Sequence, residues 1–493
     1  MLTINGYHIN KNNIQNNKLT NIKKDLTVKP YSFMKKKPIY YTLYTETADQ
    51  LIIPKFYALK IFGGGTYENK LKLVKTNINF KGELRDYQIN IVNLCMDYIN
   101  KYNGGLLSLG CGKGKTVIAL KIASLLNVNT LVIVHKEFLQ EQWIERIKSF
   151  TDCSPGIIRS NIIDIENKQI TVGMINSISK RDYGNIFENF SFVIYDEAHH
   201  VPAKIFSKTL QKTGALYTLA LSATPYRTDG LFKILHWYIG DTIYRENIIH
   251  NKAVCVKIIN FNSNKLSEST MLFNGESKPH FTKMITDLCH IESRIKLIAK
   301  IINILIQQNR KIIILSGRIE HLNSIKKKVD KYVIKKKLTY KIFYYIGNMN
   351  KKERLEAEQN GDVLFSTYDM AHEALDIPRL NTAILATPKK DVIQSIGRIQ
   401  RTTLVCGDMR PLIIDIKDNL PIFNKHGAKR ELLYKKSKYT IQKYNCEDGT
   451  FDEKLKHIVQ LDPVTDDLFE NINEGVNEKN DENINQNLFI KYK

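Results

Sequence analysis

Short apolar runs rich in β-branched residues alternate with helical patterns twice along this chain. No other feature constrains the fold as strongly. The first series holds "TLVIV" (130–134), "QITVGM" (169–174), "SFVIYDEA" (191–198) and "LYTLALSAT" (216–224). The second opens on a helical pattern, "SRIKLIAKIINILIQQ" (293–308). It continues with "KIIILSG" (311–317), "KIFYYIG" (341–347), "DVLFSTY" (362–368), "TAILATP" (382–388) and "PLIIDI" (411–416). Continuous apolar runs are strands buried on both faces, and parallel neighbours need a crossover helix between them. The expected fold is therefore α/β, two tandem units of parallel sheet covered by helices. The expected domains are an N-terminal accessory domain (1–80), a first α/β unit (81–245), a connecting segment (246–284), a second unit (285–420) and a C-terminal extension (421–493). The acidic, low-complexity end of that extension, 461–493, is expected to be disordered.

"LSLGCGKGKTVIAL" (107–120) lies between the expected strand Gly105–Leu109 and an expected helix over 116–126. The helix would turn Val117, Leu120, Ile122, Ala123 and Leu126 inward. The strict phosphate-loop pattern places its first glycine at 109, where this chain has Leu109. The half that touches phosphate is intact: Gly112, Lys113, Gly114, Lys115, Thr116. The glycines permit positive φ and close backbone approach. Lys115 supplies a cation for phosphate oxygens, and Thr116 a hydroxyl for Mg²⁺. The helix N-terminus adds its positive field.

"FVIYDEAHH" ends a buried strand on Asp196 and Glu197. In metal-assisted hydrolysis of a nucleotide, one such carboxylate holds the metal and the other orients and deprotonates water. "QSIGRIQR" (394–401) puts Gln394, Gly397, Arg398 and Arg401 at a helix entry, with two guanidinium groups on one side. Arginine at a γ-phosphate neutralises transition-state charge. A surface turn and a solvated basic helix are the alternatives for these two segments. Their co-occurrence with the loop weighs against both.

The chain carries 73 basic and 50 acidic residues, a net charge of +23. That balance suits a polyanionic partner. It is also what an AT-rich genome gives, because Lys, Asn and Ile dominate; runs such as Lys326–Lys328 read as solvated surface. Seven scattered cysteines show no C-x-x-C pair, so neither a disulfide framework nor a zinc site is expected. No apolar run reaches the ~18 residues that span a bilayer. The N-terminus lacks a signal-peptide core. A soluble, intracellular protein with no membrane partner is expected.

The motifs together resemble those of superfamily 2 helicases, in order over about 80–420. "LGCGKGKT" is similar to motif I of the XPB-like branch, Leu-Pro-Cys-Gly-x-Gly-Lys-[Ser/Thr], with Gly110 where that pattern has proline. "DEAH" (196–199) matches motif II, "SAT" (222–224) motif III and "QSIGRIQR" motif VI. "LRDYQ" (84–88) resembles the base-contacting segment upstream of motif I. "VIVHKEFLQEQW" (132–143) and "TVGMINSI" (171–178) resemble motifs Ia and Ib. "SATPYRTDG" (222–230) is similar to the extended motif III of UvsW and XPB-type enzymes. "IILSGRIEHL" (313–322) and "FSTYDMAHEALDIP" (365–378) resemble motifs IV and V. The group most similar in character is the helicases of large cytoplasmic DNA viruses, which include the poxvirus transcript-release helicase.

The resemblance implies two RecA-like domains and an ATP- and Mg²⁺-dependent helicase or translocase. It assigns phosphate and metal to Lys115, Thr116 and Asp196, and the base to Glu197. Coupling falls to His199, Ser222, Thr224 and Asp376, the γ-phosphate to Arg398 and Arg401, water placement to Gln394, and adenine to Arg85 and Gln88. Motif V has Ala374 where glycine is usual. DNA is the expected track, with RNA, or a nucleic-acid scaffold without turnover, as the alternative. A monomer serving transcription or repair machinery is expected; a viral source would place it in the host cytoplasm and the virion. Trp143, at helical spacing from Phe138 and Leu139, is expected in the core rather than against a base.

Overall fold

The computed structural model describes residues 1–29, 40–63, 67–110, 112–197, 203–223, 232–246, 252–273, 276–373, 377–399 and 407–448. The chain divides into two compact units, Met1–Glu246 and Asn247–Lys493. Each is built on a mainly parallel sheet, the α/β class that the alternation predicts.

In the first unit, helix α1 (Asp86–Tyr102) leads into strand β1 (Gly104–Ser108), helix α2 (Lys115–Leu126), β2 (Thr130–Val134) and helix α3 (Glu137–Phe150). Strands β3 (Gly156–Arg159), β4 (Ile162–Asp164), β5 (Ile170–Met174), β6 (Phe192–Tyr195), β7 (Tyr217–Ser222) and β8 (Thr242–Arg245) follow. The eight-stranded order is β4-β3-β5-β2-β6-β7-β1-β8. Only the β3–β4 pair is antiparallel. Parallel pairing brings the carboxyl ends of β1, β6 and β7 to one edge of the sheet, where α/β proteins hold ligands.

Alternate side chains of each strand feed opposite faces. Leu107, Val132, Phe192 and Leu219 join Ile91, Ile118 and Trp143 of the helices. Leu106, Ile133, Val193 and Tyr195 join Ile9, Ile22, Leu51 and Tyr57 from the N-terminal segment. That segment carries a four-stranded antiparallel sheet of short strands and the helix Lys55–Phe62. The expected separate accessory domain thus shares its core with the first sheet and covers one face of it. Helix α2 is more buried than the sequence spacing predicts: Ile118 and Ala119 are enclosed as well as Leu120, Ile122 and Ala123, whereas Val117 and Leu126 are only half-buried. A helix apolar on nearly all sides is enclosed on nearly all sides.

The second unit orders β9 (Cys255–Asn262), α4 (Glu292–Gln307), β10 (Ile312–Ser316), α5 (Ile319–Lys335), β11 (Ile342–Tyr345), β12 (Val363–Thr367), β13 (Thr382–Leu385), β14 (Leu412–Asp418), α6 (Pro421–Lys436) and β15 (Thr440–Glu447). All pairs are parallel in the order β11-β12-β10-β13-β14-β9-β15. Here the structure departs from the sequence reading. The segment expected only to connect the units supplies β9, paired with β14 and β15. The extension after 420 supplies α6 and the edge strand β15. The unit is tied internally by two buried forks: Arg294 Nε and Nη2 donate to Asp418 at 2.7 and 3.0 Å, and Arg430 Nε and Nη2 to Asp415 at 2.8 and 2.7 Å. On α5, Lys326 pairs with Asp330, and Lys328 with Glu292 on α4; both lysines are half-buried rather than fully solvated. The tail 461–493 lies outside the described residues.

Candidate nucleotide site

The loop after β1 turns on two glycines. Gly112 has φ 78° and Gly114 φ 74°, the left-handed region where a side chain is strained. A Cβ on Gly114 would also sit 2.3 Å from Gln88 Nε2. Gly114 caps α2, so Lys115 and Thr116 open the helix where its unpaired N–H groups face out. The loop is braced from α1. Gln88 Nε2 and Tyr87 OH each donate to Lys113 O at 3.2 Å, and Gln88 Oε1 accepts from Arg85 N at 3.0 Å. The Gln88 carboxamide, read from sequence as an adenine contact, is bonded here to the loop and to the start of its own helix.

Lys115 folds back over the loop. Its Nζ donates to Leu109 O at 3.1 Å and Gly110 O at 3.5 Å, and lies 3.8 Å from Glu197 Oε1. The loop cation and the acid that ends β6 are thus neighbours, both largely shielded from solvent. Glu197 has φ 46°, a conformation uncommon for a side chain of its size. Backbone outliers of this kind gather at functional sites. Asp196 is gripped on both oxygens: Trp143 Nε1 donates to Oδ2 at 2.8 Å, and Glu197 N to Oδ1 at 3.0 Å. Burial and the Glu197 charge push its carboxyl upward, against the Trp143 N–H and the Lys115 cation. Ser222, at the end of β7, is fully buried, and its carbonyl accepts from Leu109 N at 3.0 Å.

Two contributors escaped the sequence reading. Glu246, just past β8, accepts from Gly110 N through Oε2 at 2.6 Å, and its Oε1 lies 3.4 Å from Lys113 Nζ. A proline at 110 would have no N–H to give, so the departure at Gly110 permits this contact. Nothing near Glu246 in the sequence signals it. The second contributor is Trp143. It is buried at 2% exposure, as its spacing predicts, and its bond to Asp196 is invisible to periodicity.

His199, Thr224, Asp376 and Arg401 lie outside the described residues, and so do Cys111 and Ala374. The backbones of Gln394 and Arg398 occupy the short helices Ile393–Ile396 and Gly397–Ile399. Five described cysteines are buried and free, and no cluster of metal-ligating side chains occurs among the described residues. No described helix is long and apolar enough to cross a membrane.

A parallel sheet carrying a glycine–lysine loop on one strand and an acidic pair on another, at one sheet edge, defines a nucleotide-phosphate-binding protein of the RecA-like class. Family models agree. Residues 81–227 match the type III restriction enzyme res subunit, and 293–403 the helicase conserved C-terminal domain. A protein of Acanthamoeba polyphaga mimivirus, named as an ATP-dependent RNA helicase, is 35% identical over 452 residues, covering 89% of this chain and 86% of the relative. The DNA 3'-5' translocase XPB2 of Sulfurisphaera tokodaii is 38% identical over 173 residues, 35% of this chain and 37% of that one. The solved fragment of an HsdR subunit of a type I restriction enzyme from Vibrio vulnificus YJ016 shares the fold, with a TM-score of 0.54 at 15% identity over 75% of this chain and 70% of that chain. The chain belongs to the superfamily 2 helicases and is an ATP-dependent helicase, with nucleic acid as its substrate.

Proposed function

We propose that this helicase is a translocase on DNA, hydrolysing ATP with Mg²⁺ at the loop of the first unit. The observation that carries the reading is the approach of Lys115 to Glu197 at 3.8 Å. It joins a phosphate-binding cation to a candidate base at one sheet edge. The donor set fits a hard cation: a Thr116 hydroxyl, an Asp196 carboxylate and nucleotide phosphates are all oxygen ligands, the kind Mg²⁺ takes. When bound, Mg²⁺ neutralises charge on the β- and γ-phosphate oxygens.

The chain's own residues carry the remaining roles. N–H groups of the loop and of the α2 entry receive the phosphates, and Lys115 leaves Glu197 to bind them. Glu197 then orients the attacking water and takes its proton. Gln394 is proposed to help place that water. Arg398 and Arg401 are proposed to meet the γ-phosphate charge, with Arg401 as the finger. His199, Ser222, Thr224 and Asp376 are proposed to couple turnover to the strand, and Arg85 to contact the adenine. DNA is favoured by the translocase named among the relatives, while the net charge of +23 suits either nucleic acid. The mimivirus relative is named for RNA, so RNA is the second reading.

The test is ATP hydrolysis by the purified chain alone and with single-stranded DNA, duplex DNA and RNA, with Lys115→Ala as the control. Stimulation by DNA, lost in the variant, is expected. Stimulation by RNA alone would replace the first reading with the second.

A further inference from the structure

We infer that Trp143 is a positioning residue for the metal site: its indole N–H fixes the plane of the Asp196 carboxylate in which a Mg²⁺–nucleotide is received. This inference rests on the reading of Asp196 as the metal ligand.

Four observations carry it. The Nε1···Oδ2 distance is 2.8 Å, a charge-assisted bond from a buried indole to a partly buried carboxylate. The other oxygen, Oδ1, is held by Glu197 N at 3.0 Å, so the two donors together leave the carboxylate one orientation. The Asp196 backbone is fixed too, because its N–H donates to Ile133 O of β2 at 3.0 Å. The indole itself cannot drift. Trp143 is 2% exposed, and Gln140, one helical turn earlier on α3, donates through Nε2 to Val172 O of β5 at 2.9 Å. A buried indole N–H needs a partner, and a backbone carbonyl would serve for stability alone. Here the partner is the carboxylate expected to hold the metal. Groups that orient metal ligands from behind typically change metal affinity or activity 10–100-fold when removed.

The chain has two tryptophans, so the bond can be observed directly. Trp237 packs edge-on against Tyr57, with Lys233 Nζ 5.0 Å from its ring centroid, and serves as an internal reference. In ¹⁵N-labelled protein the two indole resonances are assigned with Trp237→Phe. Adding Mg²⁺ to the ADP-bound chain is expected to shift the Trp143 resonance and leave that of Trp237 in place. Trp143→Phe keeps an aromatic ring and deletes the donor. It is expected to raise the Mg²⁺ concentration needed for half-maximal tightening of ADP binding by about 10–100-fold. Its affinity for ADP in EDTA is expected to match wild type, which also reports that the variant is folded.

Asp196→Asn separates the two possible failures. If the Mg²⁺ effect on ADP binding survives Asp196→Asn, the metal assignment falls and this inference falls with it. If Asp196→Asn abolishes the effect while Trp143→Phe leaves the Mg²⁺ requirement unchanged, the metal assignment stands and Trp143 is core only. An unmoved Trp143 resonance in wild type overturns the inference even if Trp143→Phe does not fold.

Discussion

Glu197→Gln is expected to separate nucleotide binding from turnover, and the structure bounds the size of the first effect. Lys115 Nζ lies 3.8 Å from Glu197 Oε1 with both side chains mostly shielded. At an effective dielectric of ~20 the attraction is about 4 kcal/mol. A triphosphate must draw Lys115 away from that partner and must also approach the carboxylate's negative charge. Glutamine keeps the size and hydrogen bonding of the side chain and removes the charge. If a quarter of the attraction is returned to nucleotide binding, about 1 kcal/mol, the ATP dissociation constant falls roughly fivefold. Loss of the proposed general base is expected to lower turnover by about 10²–10⁴. A fluorescent nucleotide titration reads the first effect, and single-turnover phosphate release the second. Turnover within threefold of wild type would show that Glu197 is not the base. Weaker nucleotide binding would show that its carboxylate helps to build the loop rather than opposing the phosphates.

Other consequences follow from particular contacts. Glu246 places a carboxylate on Gly110 N, so Glu246→Ala is expected to tighten ATP binding about tenfold by removing an anion from the loop; unchanged or weaker binding by titration would refute this. Burial pushes the Lys55 ammonium down to about 7, although Leu216 O accepts from it at 2.7 Å. The unfolded chain therefore keeps this proton to higher pH than the folded chain does, and the burial penalty, complete below about pH 7, fades as pH rises. From pH 7 to 9 the stability of wild type is expected to gain roughly 2 kcal/mol relative to Lys55→Met, read from urea unfolding; parallel pH profiles would contradict it. Arg294→Met strands Asp418 in the core and is expected to cost about 3–5 kcal/mol, while Arg294→Met with Asp418→Leu recovers most of it. A thermal melt in which the double variant is no more stable than the single would refute that.

The sequence made the two sheets legible because their central strands are buried on both faces and carry unbroken apolar runs. "TLVIV" is β2 residue for residue, and the other runs fall within a few residues of their strands. Strand β9 was hidden because Lys257 and Asn260 interrupt it and its partners, β14 and β15, come 157 and 185 residues later in the chain. Strand β15 was hidden because it is an edge strand, mostly exposed and polar. The N-terminal strands are too short, two to five residues, to show a period. At the site, the glycines were readable because only glycine suits φ 78° and 74° in that loop. The left-handed backbone of Glu197, the carboxylate of Glu246 and the Trp143 bond were not readable. Each depends on residues that only the folded sheet brings together, as with the 53 positions separating Trp143 from Asp196.

ATP-driven strand displacement tests the central claim most directly. The substrate is a DNA duplex with a single-stranded tail at either end, offered with ATP, with a non-hydrolysable analogue, and to Lys115→Ala. Release of the labelled strand by wild type with ATP, and neither with the analogue nor by the variant, is expected. Hydrolysis stimulated by DNA with no strand released or travelled from either tail would contradict a DNA translocase driven from this loop.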